Sequence, residues 1–191
     1  ITRALNKGDN VFVYSGEMPN YLFKAAIDFQ IAGPANVVEE DRRDYIKRYV
    51  RKSAKDKIVE WYRGKCMLYD RTMVKDEDTD LLNTIERMIV SQNARVIVID
   101  NLMTMINKTR VKGSKLEAQS EVSNALEDMA RFYNVCIILV ANKRKDSGID
   151  DEDMDDSIRG DSDIVNSAGV IIHYNVNKDE NTMENYPRII S

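Results

Sequence analysis

The 191-residue sequence has little of what anchors, staples or metallates a chain. Uninterrupted apolar runs stay at about half a dozen residues where a membrane helix needs about 20, and no signal-peptide or lipidation pattern occurs, so no membrane association is expected. The only cysteines, Cys66 and Cys136, lie in separate apolar runs without a CxxC or Cys/His cluster, and they read as buried thiols of a reducing compartment. The one histidine, His173, sits in an apolar run and reads as a packed or edge residue. A phosphate-binding loop of the form G-x-x-x-x-G-K-[ST] is missing as well: the only Gly-Lys pair, Gly64 and Lys65, is followed by Cys66 and has Val59 where the first glycine belongs.

What is present is enough apolar residue, 43%, to bury the core of one domain of ordinary size. The net charge of -4 comes from one place, because the segment 149–156 (IDDEDMDD) holds six acids and no base. Without it the chain has 28 basic against 26 acidic residues, a balance that permits a polyanionic partner without demanding one. The acidic run lacks the glycine and ligand spacing of a calcium loop, and residues 146–156 read as a solvated loop.

Five runs are apolar throughout and predict strands: VFVYS at 11–15, CMLYD at 66–70, RVIVID at 95–100, CIILVA at 136–141 and GVIIHYN at 169–175. Strands without alternation are buried on both faces, as in parallel sheets covered by helices. Helical stretches are expected at 20–32, 41–62, 78–92, 114–133 and 161–167, so the class is α/β. The opening ITRALNKGDN reads as the last turns of a helix closed by Gly8, and NYPRIIS at the end reads as a strand beginning after Pro187. The expectation is a partial domain spanning 1–191, with 157–191 as its C-terminal strand segment.

In a parallel sheet the ligand crevice lies at the carboxyl ends of the strands, which singles out Glu17, Asp70, Asp100, Asn142 and Asn175. VIVID, ending at Asp100, has the Walker B form: a rigid strand delivering an acid that organises the hydrated Mg2+ on the β- and γ-phosphates of a nucleotide. Apolar runs ending in Asp also close ordinary strands, and a Walker B acid calls for a P-loop, which would then lie upstream of Ile1.

Four motifs, VFVYSGEMP, ARVIVIDNLMTM, EVSNALEDMARFYNVCIILVANKRKD and IRGDSDIVNSAGVIIHY, stand in the order and spacing of the RecA-like motor of DnaB-like hexameric replicative DNA helicases. LVANKRK is most similar to the phage and mitochondrial (Twinkle-type) primase-helicase branch. The resemblance spans nearly the whole chain and is weakest between Asn36 and Arg63. It implies a RecA-like P-loop NTPase core, a mostly parallel sheet with helices on both faces, truncated at the P-loop strand and at the C-terminus. It further implies ATP and Mg2+ as cofactors, single-stranded DNA as partner, a homo-oligomeric, hexameric ring in the full-length protein, a primase as candidate partner, and a cytoplasmic setting in a bacterial or phage-infected cell ahead of the mitochondrial matrix.

Residue by residue, the resemblance makes Glu17 the catalytic glutamate that polarises the attacking water, and Asp100 the Walker B acid holding Mg2+ through water. Asn142 falls where the family has a Gln or His that senses the γ-phosphate; Asn is shorter than Gln and cannot protonate as His can. DNA contacts fall to two loops after the Asp100 and Asn142 strands: Lys108, Arg110, Lys112 and Lys115 in the first, Lys143 and Arg144, with Lys145 beside them, in the second. Basic loops at strand ends suit backbone-phosphate binding with little base discrimination, although a Lys-rich loop is by itself often only solvated. The function implied is ATP-driven translocation on single-stranded DNA with duplex unwinding, and the chain alone is expected to be inactive. A RecA/RadA-type recombinase, a degenerate non-catalytic assembly or DNA-binding module, and a metal-dependent nuclease using Glu17 and Asp100 remain open alternatives.

Overall fold

The computed structural model describes residues 1–73, 80–111, 113–141, 162–178 and 185–190. Four of its strands form one sheet: β1 (Asn10–Ser15), β4 (Cys66–Leu68), β5 (Ala94–Asp100) and β6 (Cys136–Val140), in the order β4-β1-β5-β6. All three pairings are parallel. The continuous apolar runs explain this, since a strand buried on both faces needs apolar side chains pointing both ways.

Successive residues divide between two cores, as the strand period of two requires. On one face Phe12, Tyr14, Ile97 and Ile99, with Ile137 and Leu139, pack against α4 (Leu81–Gln92), α5 (Leu102–Ile106) and α6 (Lys115–Tyr133). On the other, Val11, Val13, Val96, Val98 and Leu68 meet α1 (Thr2–Lys7), α2 (Asn20–Ala32) and α3 (Lys52–Tyr62). A buried hydrogen bond from the Tyr62 hydroxyl to Asp28 Oδ1, 2.8 Å, ties α3 to α2. Burial, and after it that carboxylate, push the Tyr62 hydroxyl well above its ordinary pKa.

Helix ends follow local chemistry. Gly8 closes α1 with φ 91°, a left-handed conformation that favours glycine. Ser114 and Glu117 form a reciprocal capping box that starts α6, and the Ser114 N–H holds the Glu117 carboxyl below its ordinary pKa. Asp80 caps α4 by accepting from the Asn83 N–H at 2.9 Å.

Two segments depart from the sequence reading. The expected helix over 41–62 is a hairpin followed by a shorter helix: β2 (Val37–Arg42) pairs antiparallel with β3 (Tyr45–Val50), and α3 begins at Lys52. Here β-forming Val37, Val38, Tyr45, Ile46, Tyr49 and Val50 outweigh the surrounding charges. The expected strand over 169–175 lies at β7 (His173–Lys178) and does not join the main sheet; it pairs antiparallel with β8 (Asn185–Ile190). The two runs are close enough in sequence to pair locally. The short helix near 161–167 is α7 (Ser162–Ser167). Val170 and Ile172, just after it, are exposed.

Candidate nucleotide and nucleic-acid site

β1 and β5 are the two inner strands of the sheet, and their register places Ser15 opposite Asp100 at the carboxyl edge. The Ser15 hydroxyl donates to Asp100 Oδ2 at 3.2 Å and accepts the Met18 N–H at 3.2 Å. A single hydroxyl thus fastens the turn carrying Glu17 to the end of β5. The Gly16 N–H continues the ladder to the Asp100 carbonyl, 2.6 Å. Glycine is required there by close approach: a Cβ on Gly16 would lie 2.0 Å from Thr104 Oγ1 and 2.3 Å from Thr104 Cβ.

Asn101 stands between this turn and α5. It is 2% exposed and its side-chain amide donates to Glu17 Oε1. Its Oδ1 accepts the Thr104 N–H at 3.1 Å, while Thr104 Oγ1 accepts the Asn101 N–H at 3.2 Å, so the two residues cap α5 reciprocally. This cap also fixes which way the Asn101 amide points: with the oxygen committed to Thr104, the NH2 group faces Glu17. The Tyr14 hydroxyl donates to the Thr104 carbonyl at 3.0 Å from the other side. Burial raises the pKa of that hydroxyl, with the Thr104 bond pulling weakly the other way. Asp100 and Asn101 are joined by a cis peptide.

The structure therefore brings Glu17 and Asp100 to one edge, each bonded to a neighbour from the opposite strand. Their environment is all oxygen and amide. Two carboxylates and the Ser15 hydroxyl are the hard donors that Mg2+ accepts when it arrives with phosphates and keeps part of its water. Among the described residues, no group of three or more His, Cys, Asp or Glu side chains converges on one point.

The first basic loop follows α5 directly, with Lys108 and Arg110 exposed. Its backbone is more constrained than its composition suggests. The Leu81 N–H donates to the Lys108 carbonyl at 3.1 Å, and the Arg110 N–H donates to Asp80 Oδ2 at 3.3 Å, so the N-terminus of α4 holds the loop. Lys115 is exposed at the first position of α6, where the helix dipole disfavours a cation. Lys112, Asn142, Lys143 and Arg144, the acidic run 146–156 and the residues after it through 161 lie outside the described residues.

Two other strand-end residues take separate places. Asp70 closes its own turn, accepting the Thr72 N–H at 2.9 Å and the Thr72 hydroxyl at 2.8 Å. The Thr72 bonds hold its carboxyl below the ordinary range. Asn175 lies in β7, in the separate two-stranded sheet. Sequence reasoning missed Ser15, Asn101 and Thr104. The one available signal was Asn101-x-x-Thr104 after a strand, a helix-start pattern.

No protein-family model matches the chain, and none of the curated proteins matches it either. Solved structures do. A KaiC-like protein of the hyperthermophilic archaeon Pyrococcus horikoshii OT3 aligns at TM-score 0.58 and 15% identity, over 97% of this chain and 66% of its own. A DnaB-like replicative helicase, described with its interactions with primase, aligns at TM-score 0.52 and 17% identity, over 73% of this chain and 33% of its own. A separately solved ATPase domain aligns at TM-score 0.61 and 18% identity, over 93% of this chain and 62% of its own. The chain thus spans between a third and two thirds of the length of the structures it matches. With a parallel sheet flanked by helices on both faces, the chain has the RecA-like fold shared by these solved domains.

Proposed function

We propose that this chain is the ATPase motor domain of a DnaB-like DNA helicase, coupling Mg-ATP hydrolysis to movement along single-stranded DNA as a ring-forming homo-oligomer. The observation that carries the reading is the junction of β1 and β5, where Glu17, on the turn just after β1 and bonded to Asn101, lies at the same sheet edge as Asp100 at the end of β5, and the basic loop leaves one short helix later. In-line hydrolysis needs an acceptor that orients water and a separate acid beside the metal. Glu17 takes the first role and Asp100, with Ser15 beside it, the second. Bound Mg2+ would offset charge on the β- and γ-phosphates. Lys108, Arg110 and Lys115, with Lys112, Lys143 and Arg144 from the sequence alone, would meet the DNA backbone, and Asn142 would report the γ-phosphate.

The phosphate cradle would come from a strand and helix beside β6. That strand pairs with β5 on one side only among the described residues, and Ile138 and Val140 on its α1–α3 face are 45% and 38% exposed. An apolar strand with one open edge is suited to receive a further parallel strand.

The test is Glu17→Gln in the full-length protein. The variant is expected to bind ATP as before and to lose hydrolysis by about 100-fold or more; unchanged turnover would sink the assignment. The other reading is a non-catalytic module of the same fold. Failure of the full-length protein to bind ATP with Mg2+ would select it.

A further inference from the structure

The contact between Asn101 and Glu17 lies outside the roles just assigned. Glu17 is exposed on a turn, and a glutamate there ordinarily samples many rotamers, so ordering it costs side-chain entropy. Here Oε1 accepts from the Asn101 amide. Asn101 is itself immobile: it is 2% exposed, bonded through Oδ1 to the Thr104 N–H, and its partner Thr104 is held by Tyr14 and pressed against Gly16. A buried, doubly bonded amide is thus fixed against an exposed carboxylate.

The same amide is the first residue of a short mechanical path. Asn101 caps α5, which is five residues long and runs without a break into Asn107 and the exposed Lys108. The loop's other fastening is to Asp80 at the start of α4. A displacement of Lys108 and Arg110 by a bound polyanion would reach Glu17 through a single helical turn and one side chain.

We propose that Asn101 is a positioning residue for Glu17 and makes the reach of that carboxylate follow the basic loop, so that single-stranded DNA on Lys108 and Arg110 sets the rate of nucleotide hydrolysis through α5. The inference rests on the reading of Glu17 as the group that orients water. It assigns no contact between Asn101 and nucleotide. Of the two Glu17 oxygens, Oε1 is taken by Asn101 and Oε2 is left to orient a water.

The experiment uses Asn101→Asp and Asn101→Ser in the full-length protein, with ATPase measured with and without an oligo-dT strand. Asp and Ser both remain strong helix caps, so α5 keeps its start, while neither can donate an amide hydrogen to Glu17. A small misplacement of a catalytic group costs about 100-fold. Turnover in the presence of oligo-dT is expected to fall by about that factor in both variants, with KM for ATP unchanged and the stimulation by oligo-dT reduced to near onefold. Asn101 acting only as a cap predicts parental turnover and parental stimulation, and that result overturns the proposal. A fall in turnover with stimulation intact also overturns it, because it removes the coupling to the loop. Glu17→Gln run alongside separates the two claims. Activity retained in Glu17→Gln refutes the site, whereas activity lost there but retained in both Asn101 variants refutes only the present inference.

Discussion

The β1–β5 junction and the β2–β3 hairpin are both rich in polar side chains, and they hold them in opposite ways. At the junction the bonds join residues 84 to 90 positions apart: Glu17 with Asn101, Ser15 with Asp100, Tyr14 with Thr104. On the hairpin the ion pairs are local, Arg48 with Glu39 across the strands at 2.7 Å and Arg42 with Glu40 at 2.8 Å, all with substantial solvent exposure. Long-range bonds at the end of buried strands fix a side chain relative to the whole sheet. Local pairs in water fix it only relative to its neighbour. The first arrangement can hold a reacting group; the second keeps a peripheral ribbon soluble.

The largest effect that sharpens this contrast comes from truncation. Phe12 in β1 is fully buried beneath the junction, whereas Tyr45 in β3 is 64% exposed. Phe12→Ala is expected to cost about 3–5 kcal/mol of unfolding free energy and Tyr45→Ala about 0.5 kcal/mol or less. Denaturant unfolding of both variants checks the pair. Equal losses would mean that the hairpin is as integral to the cooperative fold as the central strands.

The same contrast explains what the sequence made legible. Strands β1 and β5 announce themselves because burial on both faces leaves an unbroken apolar run, β6 does so through an equally apolar run although one of its faces is exposed, and α6 through Ser114 and Glu117 at its start. The hairpin hides because its β-formers fall on both of its faces. By register Val38, Lys47 and Tyr45 share one side while Ile46 and Arg48 share the other, so no period of two is visible. With only Arg51 separating it from α3, a helical pattern reads straight through it. Glu17 and Asp100 could be singled out because each ends an apolar run. That the two strands lie side by side, with Ser15 opposite Asp100, depends on a pairing across 85 residues that no local pattern carries. Asn101 was hidden for the same reason, being an ordinary cap until its other end is seen on Glu17.

An intermediate effect is expected at Gly16. A methyl group there would overlap Thr104, whose Oγ1 is half of the cap on α5, so Thr104 must turn away or the Ser15–Met18 turn must move. Overpacking of this kind costs about 1–3 kcal/mol. Gly16→Ala is therefore expected to lower the unfolding midpoint more than Tyr45→Ala and less than Phe12→Ala. If Gly16→Ala proves neutral, the junction is looser than its bonds indicate.

The smallest effect tests the hairpin on its own terms. Glu39 and Arg48 are register partners whose carboxylate and guanidinium meet at 2.7 Å, with side chains 55% and 63% exposed. Water competes for both ends, and ordering two long side chains opposes the attraction. A double-mutant cycle with Glu39→Ala and Arg48→Ala is expected to give a coupling of about 0.2–1 kcal/mol. Because the pair is exposed, that coupling should fall further as salt is raised from about 0.1 M to 1 M, where screening acts within about 3 Å. A coupling that is larger and insensitive to salt would place the pair in a desolvated setting. The hairpin would then have to be regarded as a second structured site, comparable with the junction it is contrasted with here.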